Sequence, residues 1–122
     1  MKILIIDDDE QMRILLRQVM EWAGYEVVEA ADGREGMLRQ RKERADLVIT
    51  DLIMPEQEGL ETITGLKKEY PKLRIIAISG GGRIGPDAYL PAAQELGADR
   101  VFSKPFDVRE LANTVKELLA NG

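Results

Sequence analysis

Five short runs rich in Ile, Leu and Val, separated by longer stretches of helical period, constrain this chain more than any other feature. Such alternation is the pattern of a parallel α/β sheet, because parallel neighbours need crossover connections and amphipathic helices supply them. Strands are predicted at Lys2–Asp7, Tyr25–Ala30, Leu47–Asp51, Arg74–Ser79 and Arg100–Ser103, with helices in the gaps. At 122 residues the whole chain, 1–122, fits one domain around one core.

The helices differ in how clearly they are written. Met12, Leu15, Leu16, Val19 and Ala23 recur at three- and four-residue spacing, and Gly24 supplies a stop. The last segment has Asp107 as N-cap with Glu110 three residues later, and Val108, Leu111, Ala112, Val115, Leu118 and Leu119 form its stripe. Leu60, Ile63, Leu66 and Tyr70 mark a helix that Pro71 ends. Residues 33–44 have few apolar anchors; Arg34, Arg39, Arg41, Lys42 and Arg44, with Glu35 and Glu43 interspersed, read as a solvated face rather than a binding stripe. Between Asp87 and Leu96, Pro91 leaves either a short helix starting near Leu90 or a kink.

Composition removes whole classes of chemistry. A net charge of −5 argues against a general nucleic-acid binder, and no apolar run approaches the ~18 residues of a membrane span, so a cytoplasmic chain is expected. There is no cysteine and no histidine. Disulfides, Ser-His or Cys-His catalysis and an ordinary zinc site are therefore excluded, and the chain cannot itself carry phosphohistidine.

Polar residues gather where the strands end. Asp7-Asp8-Asp9 follows the first run, Asp51 closes the third, Ser79 the fourth, and Lys104 follows the fifth. Ligands of open α/β sheets bind beyond the carboxyl ends of the strands, so these groups are expected in one pocket. Clustered carboxylates repel by ~1 kcal/mol per pair in water and several-fold more near a protein surface, which calls for a cation. An all-oxygen cluster suits a hard ion, Mg²⁺ or alternatively Ca²⁺ or Mn²⁺. Acids, a hydroxyl and a lysine at one sheet edge are the parts of a phosphoryl-transfer site, where catalysis is positioning and charge neutralisation. Asp9 is most simply the N-cap of the next helix, with modulation of the site's charge as the alternative.

Four motifs, in order along nearly the full length, carry a resemblance: Ile3-Leu4-Ile5-Ile6-Asp7-Asp8, Asp51-Leu52-Ile53-Met54-Pro55, Ser79-Gly80 and Lys104-Pro105-Phe106. The chain resembles the CheY-like receiver domains of two-component response regulators. The resemblance implies a flavodoxin-like (βα)5 three-layer sandwich with a five-stranded parallel sheet of order 2-1-3-4-5, an order already known for the chemotaxis receiver. It implies Asp51 as phosphoacceptor, supplied by a histidine kinase or phosphotransfer protein on another chain. It further implies Mg²⁺ held by Asp8, Asp51 and the backbone carbonyl of Ile53, with Asp7 acting through water. Lys104 would pair with Asp51 and later with a phosphoryl oxygen, Ser79 would donate to another, and the Lys104–Pro105 peptide would be cis. On this reading the protein is a switch that alters binding to a downstream protein or output domain, not a turnover enzyme.

Two positions depart from the family pattern. Val101 stands where most receivers carry a signalling aromatic, and Phe102 cannot replace it because adjacent strand residues face opposite sides. With Pro91 nearby, output is expected to depend on the segment from Ser79 to Pro91 instead. Gly80-Gly81-Gly82-Arg83-Ile84-Gly85 matches a dinucleotide fingerprint, but it follows the fourth strand and no acidic strand end lies ~20 residues on. The alternative function is a haloacid-dehalogenase-type phosphatase, whose Asp-x-Asp start Asp7-Asp8-Asp9 would satisfy. Gln11, where that motif has Thr or Val, and the short chain disfavour it.

Overall fold

The computed structural model describes residues 1–52, 58–79 and 94–120. Their order is β1 (Lys2–Ile6), α1 (Glu10–Trp22), β2 (Glu26–Ala30), α2 (Gly33–Glu43), β3 (Leu47–Asp51), α3 (Glu58–Glu69), β4 (Arg74–Ser79), β5 (Arg100–Ser103) and α4 (Val108–Ala120). Residues 94–96 are also helical, while Pro91 and the segment 80–93 lie outside the described residues. All strand pairs are parallel, in the order β2-β1-β3-β4-β5. This is the flavodoxin-like arrangement that the resemblance implies.

Three of the five strands match their predicted bounds, and two are a residue shorter. β1 stops at Ile6 because the chain turns there: the Asp7 carbonyl accepts from the Arg13 side chain, although the Asp7 N–H still reaches the Ala30 carbonyl at 3.1 Å. Tyr25 belongs to the exit of α1. Its N–H donates to the Met20 carbonyl at 3.1 Å, and Gly24 (φ +97°) donates to Glu21 at 3.0 Å, the paired bonds of a Schellman stop.

Residues of successive parity face opposite layers, so a strand buried on both sides needs an unbroken apolar run. Ile3, Ile5, Leu47, Ile49, Ile76 and Ile78 pack with Leu16, Met20, Leu111, Val115 and Leu118 of α1 and α4. On the other face Leu4, Ile6, Val48, Ile75 and Ala77 pack with Ile63 and Leu66 of α3 and, across α2, with Met37. The stripe predicted on α1 is shifted slightly: Met20 is fully buried, whereas Leu15 is 40% exposed at the edge of the helix's contact face. Both predicted N-caps are present. Asp9 accepts from the Gln11 N–H at 3.0 Å and Asp107 from the Arg109 N–H at 2.8 Å.

α2 behaves as a solvated helix. Arg39 pairs with Glu35 and Arg41 with Glu69, both in largely exposed pairs. What anchors it is small or polar: Gly33 and Gly36 are buried, and the buried Gln40 amide bonds both the N–H and the carbonyl of Ala45 at 3.0 Å. A side chain at Gly36 would overlap Ile6, so glycine lets α2 lie close against the end of β1.

Candidate functional site: an acidic pocket with one lysine

The carboxyl ends of β1, β3, β4 and β5 lie side by side, so the residues that follow or close them share one edge. One carboxylate oxygen each from Asp7, Asp8 and Asp51 lies within 4.8 Å of the others. Lys104 Nζ is 3.4 Å from Asp51 Oδ2 and 3.8 Å from Asp7 Oδ2. The structure therefore brings together Asp7, Asp8, Asp51 and Lys104. Ser79 shares their edge: its carbonyl accepts the Lys104 N–H at 2.8 Å, which ties the lysine's backbone to the end of β4. The Lys104–Pro105 peptide is cis.

Burial makes this cluster costly. Asp7 and Asp51 are 1% and 4% exposed, while Asp8 faces solvent. At the 4.8 Å limit each like-charged pair repels by roughly 3.5 kcal/mol at an effective dielectric of ~20. One ammonium cannot offset three such carboxylates. Asp7 bears the consequence: burial pushes its carboxyl up to about 7, the Asp9 N–H opposes this, Asp51 adds to it, Lys104 subtracts and Asp8 adds.

Two buried polar atoms here have no hydrogen-bond partner among the described residues, Asp7 Oδ2 and Ser79 Oγ. Buried polar groups are rarely left so, and when they are a ligand or ion is a common reason. Three converging carboxylates and an orphaned acidic oxygen form an all-oxygen donor set of the kind that fits a hard divalent cation such as Mg²⁺. The expected backbone donor, the Ile53 carbonyl, lies outside the described residues, as does the glycine-rich run Gly80–Gly85.

Sequence reading missed two residues that shape the pocket. Arg13 holds the Asp7 carbonyl, although an arginine on the first helix reads as a solvated residue. Gly59, at the start of α3, sits against the end of β3, where a Cβ would lie 2.6 Å from the Asp51 carbonyl oxygen. The signal available for it was a glycine opening a helix eight residues after the acid. Val101 is part-buried on the α2–α3 side of the sheet, and Phe102 faces α1 and α4, edge-on to Phe106 with ring centroids 6.1 Å apart. The two residues do face opposite ways.

The family described as "Response regulator receiver domain" matches residues 3–116. The chain is 36% identical over 118 residues to Sporulation initiation phosphotransferase F of Bacillus subtilis, covering 97% of this chain and 93% of that protein. It is 32% identical to the alkaline phosphatase synthesis transcriptional regulatory protein PhoP of the same organism, covering 97% of this chain and 48% of that longer protein. In structure it is similar to a response regulator receiver domain protein from Clostridium thermocellum, with a TM-score of 0.89 and 27% identity, covering 98% and 94% of the two chains.

Proposed function

Because the chain belongs to the response regulator receiver family, a phospho-accepting switch of two-component signalling rather than a true enzyme, we propose that Asp51 is its phosphoacceptor. A receiver implies a kinase or phosphotransfer protein as partner, and with no histidine among residues 1–122 the donor group lies outside this span. An Asp51 carboxylate oxygen attacks the phosphorus of the donor's phosphohistidine; the O–P bond forms as the P–N bond breaks, and the imidazole leaves with the electron pair. The observation that carries this reading is the meeting of Asp51 with Lys104 at 3.4 Å beside two further acids.

Asp8, Asp51 and the Ile53 carbonyl, with Asp7 through water, are the groups we assign to Mg²⁺, which when bound supplies charge neutralisation at the transferred phosphoryl. Lys104 orients the Asp51 carboxylate beforehand and pairs with a phosphoryl oxygen afterwards. Ser79 Oγ donates to another, which gives its unpartnered hydroxyl an acceptor. Shifting a two-state protein from 1:99 to 99:1 takes about 5.5 kcal/mol, and one charged hydrogen bond gives only ~1.5–3, so serine and lysine act together in the switch.

We assign the span 1–122 to one receiver domain acting in the cytoplasm. Similarity to a sporulation phosphotransferase over 93% of that protein supports a place in a phosphorelay, and the longer transcriptional relative supports an output domain as the alternative downstream partner. Intact mass spectrometry after incubation with acetyl phosphate and Mg²⁺ tests the assignment. The native chain is expected to gain one phosphoryl group and Asp51→Asn none; equal labelling of both would remove Asp51 as acceptor.

A further inference from the structure

Arg13, in the first turns of α1, folds its side chain back toward the acids. Its Nη1 donates to the Asp7 carbonyl at 2.7 Å, and its Nε lies 3.3 Å from Glu29 Oε1 on β2. Glu29 in turn gives its other oxygen to Arg17 Nη1 at 2.6 Å, so its carboxylate is held from both sides. The Arg13 backbone is equally fixed, its N–H donating to the Asp9 carbonyl at 3.0 Å. With only 18% of its side chain exposed, Arg13 is a built-in part of this corner and not a solvated arginine.

The strand ladder ends at Ile6, so it does not dictate the peptide that joins Asp7 to Asp8. The orientation of that peptide sets how the chain leaves Asp7 and enters Asp8, and it acts together with the Asp9 N–H, which donates to Asp7 Oδ1 at 2.8 Å. We propose that Arg13 is a positioning residue for the metal site: by clamping the Asp7 carbonyl, with Glu29 orienting its guanidinium, it sets the Asp7–Asp8 peptide so that both side chains converge on Asp51. The inference rests on the Mg²⁺ reading above. A charge-assisted bond to a carbonyl is roughly twice as strong as a neutral one, and a guanidinium serves two acceptors at fixed angles as an ammonium does not. Partners that orient metal ligands are typically worth about 10- to 100-fold in metal affinity.

The sign of the effect separates positioning from simple charge. Removing a cation beside a cation site tightens metal binding if only electrostatics acts, whereas loss of the clamp weakens it.

Calorimetric titration of the full chain with Mg²⁺ tests this, comparing the native protein with Arg13→Met, Arg13→Lys and Arg17→Met. Expected are an affinity about 10-fold lower for Arg13→Met, an intermediate loss for Arg13→Lys, and a value within about two-fold of native for Arg17→Met, which touches Glu29 but not Asp7. Unchanged or tighter binding by Arg13→Met overturns the proposal, as does an equal loss in Arg17→Met. Should Arg13→Met not fold, native affinity in Arg13→Lys also overturns it. No binding by the native chain overturns the Mg²⁺ reading itself, a result distinct from native binding with an indifferent Arg13.

Discussion

Asp7 is buried to 1% exposure beside two other acids, and one of its oxygens has no hydrogen-bond partner among the described residues. Its carboxyl is raised to about 7 from the usual 3.8, chiefly by burial, so between those values the folded state holds a proton that the unfolded chain has lost. Stability of the metal-free chain therefore falls as pH rises from about 4 through about 7. Urea unfolding in the presence of a chelator at pH 5 and pH 8 should show this loss in the native chain and a much smaller one in Asp7→Asn. Parallel pH profiles would contradict it. Mg²⁺ affinity should rise over the same range, because the ion must displace that proton. At this scale the sequence was most legible where residue type and place coincide: Asp7, Asp8, Asp51 and Lys104 are charged groups at strand ends, and all four meet. Arg13 was not legible, because its partner is a backbone carbonyl that no side-chain pattern reveals.

Among the elements, those with strong local chemistry were readable. Asp9 and Asp107 cap their helices, Gly24 ends one, and the continuous Ile and Leu runs are strands. The end of α2 falls within a residue of the predicted span, but its cap was not foreseen, since Arg44 takes the left-handed conformation (φ 51°) usually given to Gly or Asn. Two glycines on α3 separate packing from propensity. At Gly59 a methyl group would press on the backbone of Asp51 and Leu52, so Gly59→Ala should destabilise by about 1–3 kcal/mol and disturb the pocket. At Gly65 it would meet only Met37, its sulfur at 3.6 Å, so Gly65→Ala should stabilise by about 0.5–1 kcal/mol. Thermal unfolding of the two variants checks the pair; like-signed shifts would contradict the account.

For the whole molecule, apolar runs in alternation with helical segments were enough to indicate a parallel α/β domain, because burial on both faces leaves no polar alternation in a strand. Strand order was not contained in that pattern and came through the family resemblance, since permuted orders would bury the same residues. The order matters for function: it sets β1, β3, β4 and β5 side by side, and so places two acidic strand ends, a serine and a lysine along one edge. The central claim is that this edge serves to phosphorylate Asp51 rather than the acids at the end of β1. Borohydride reduction of the acetyl phosphate-treated chain tests it most directly, because an aspartyl phosphate is reduced to homoserine and peptide mass spectrometry locates it. Homoserine at position 51 alone is the predicted result; homoserine at position 7 or 8, or at none of the three, would contradict it.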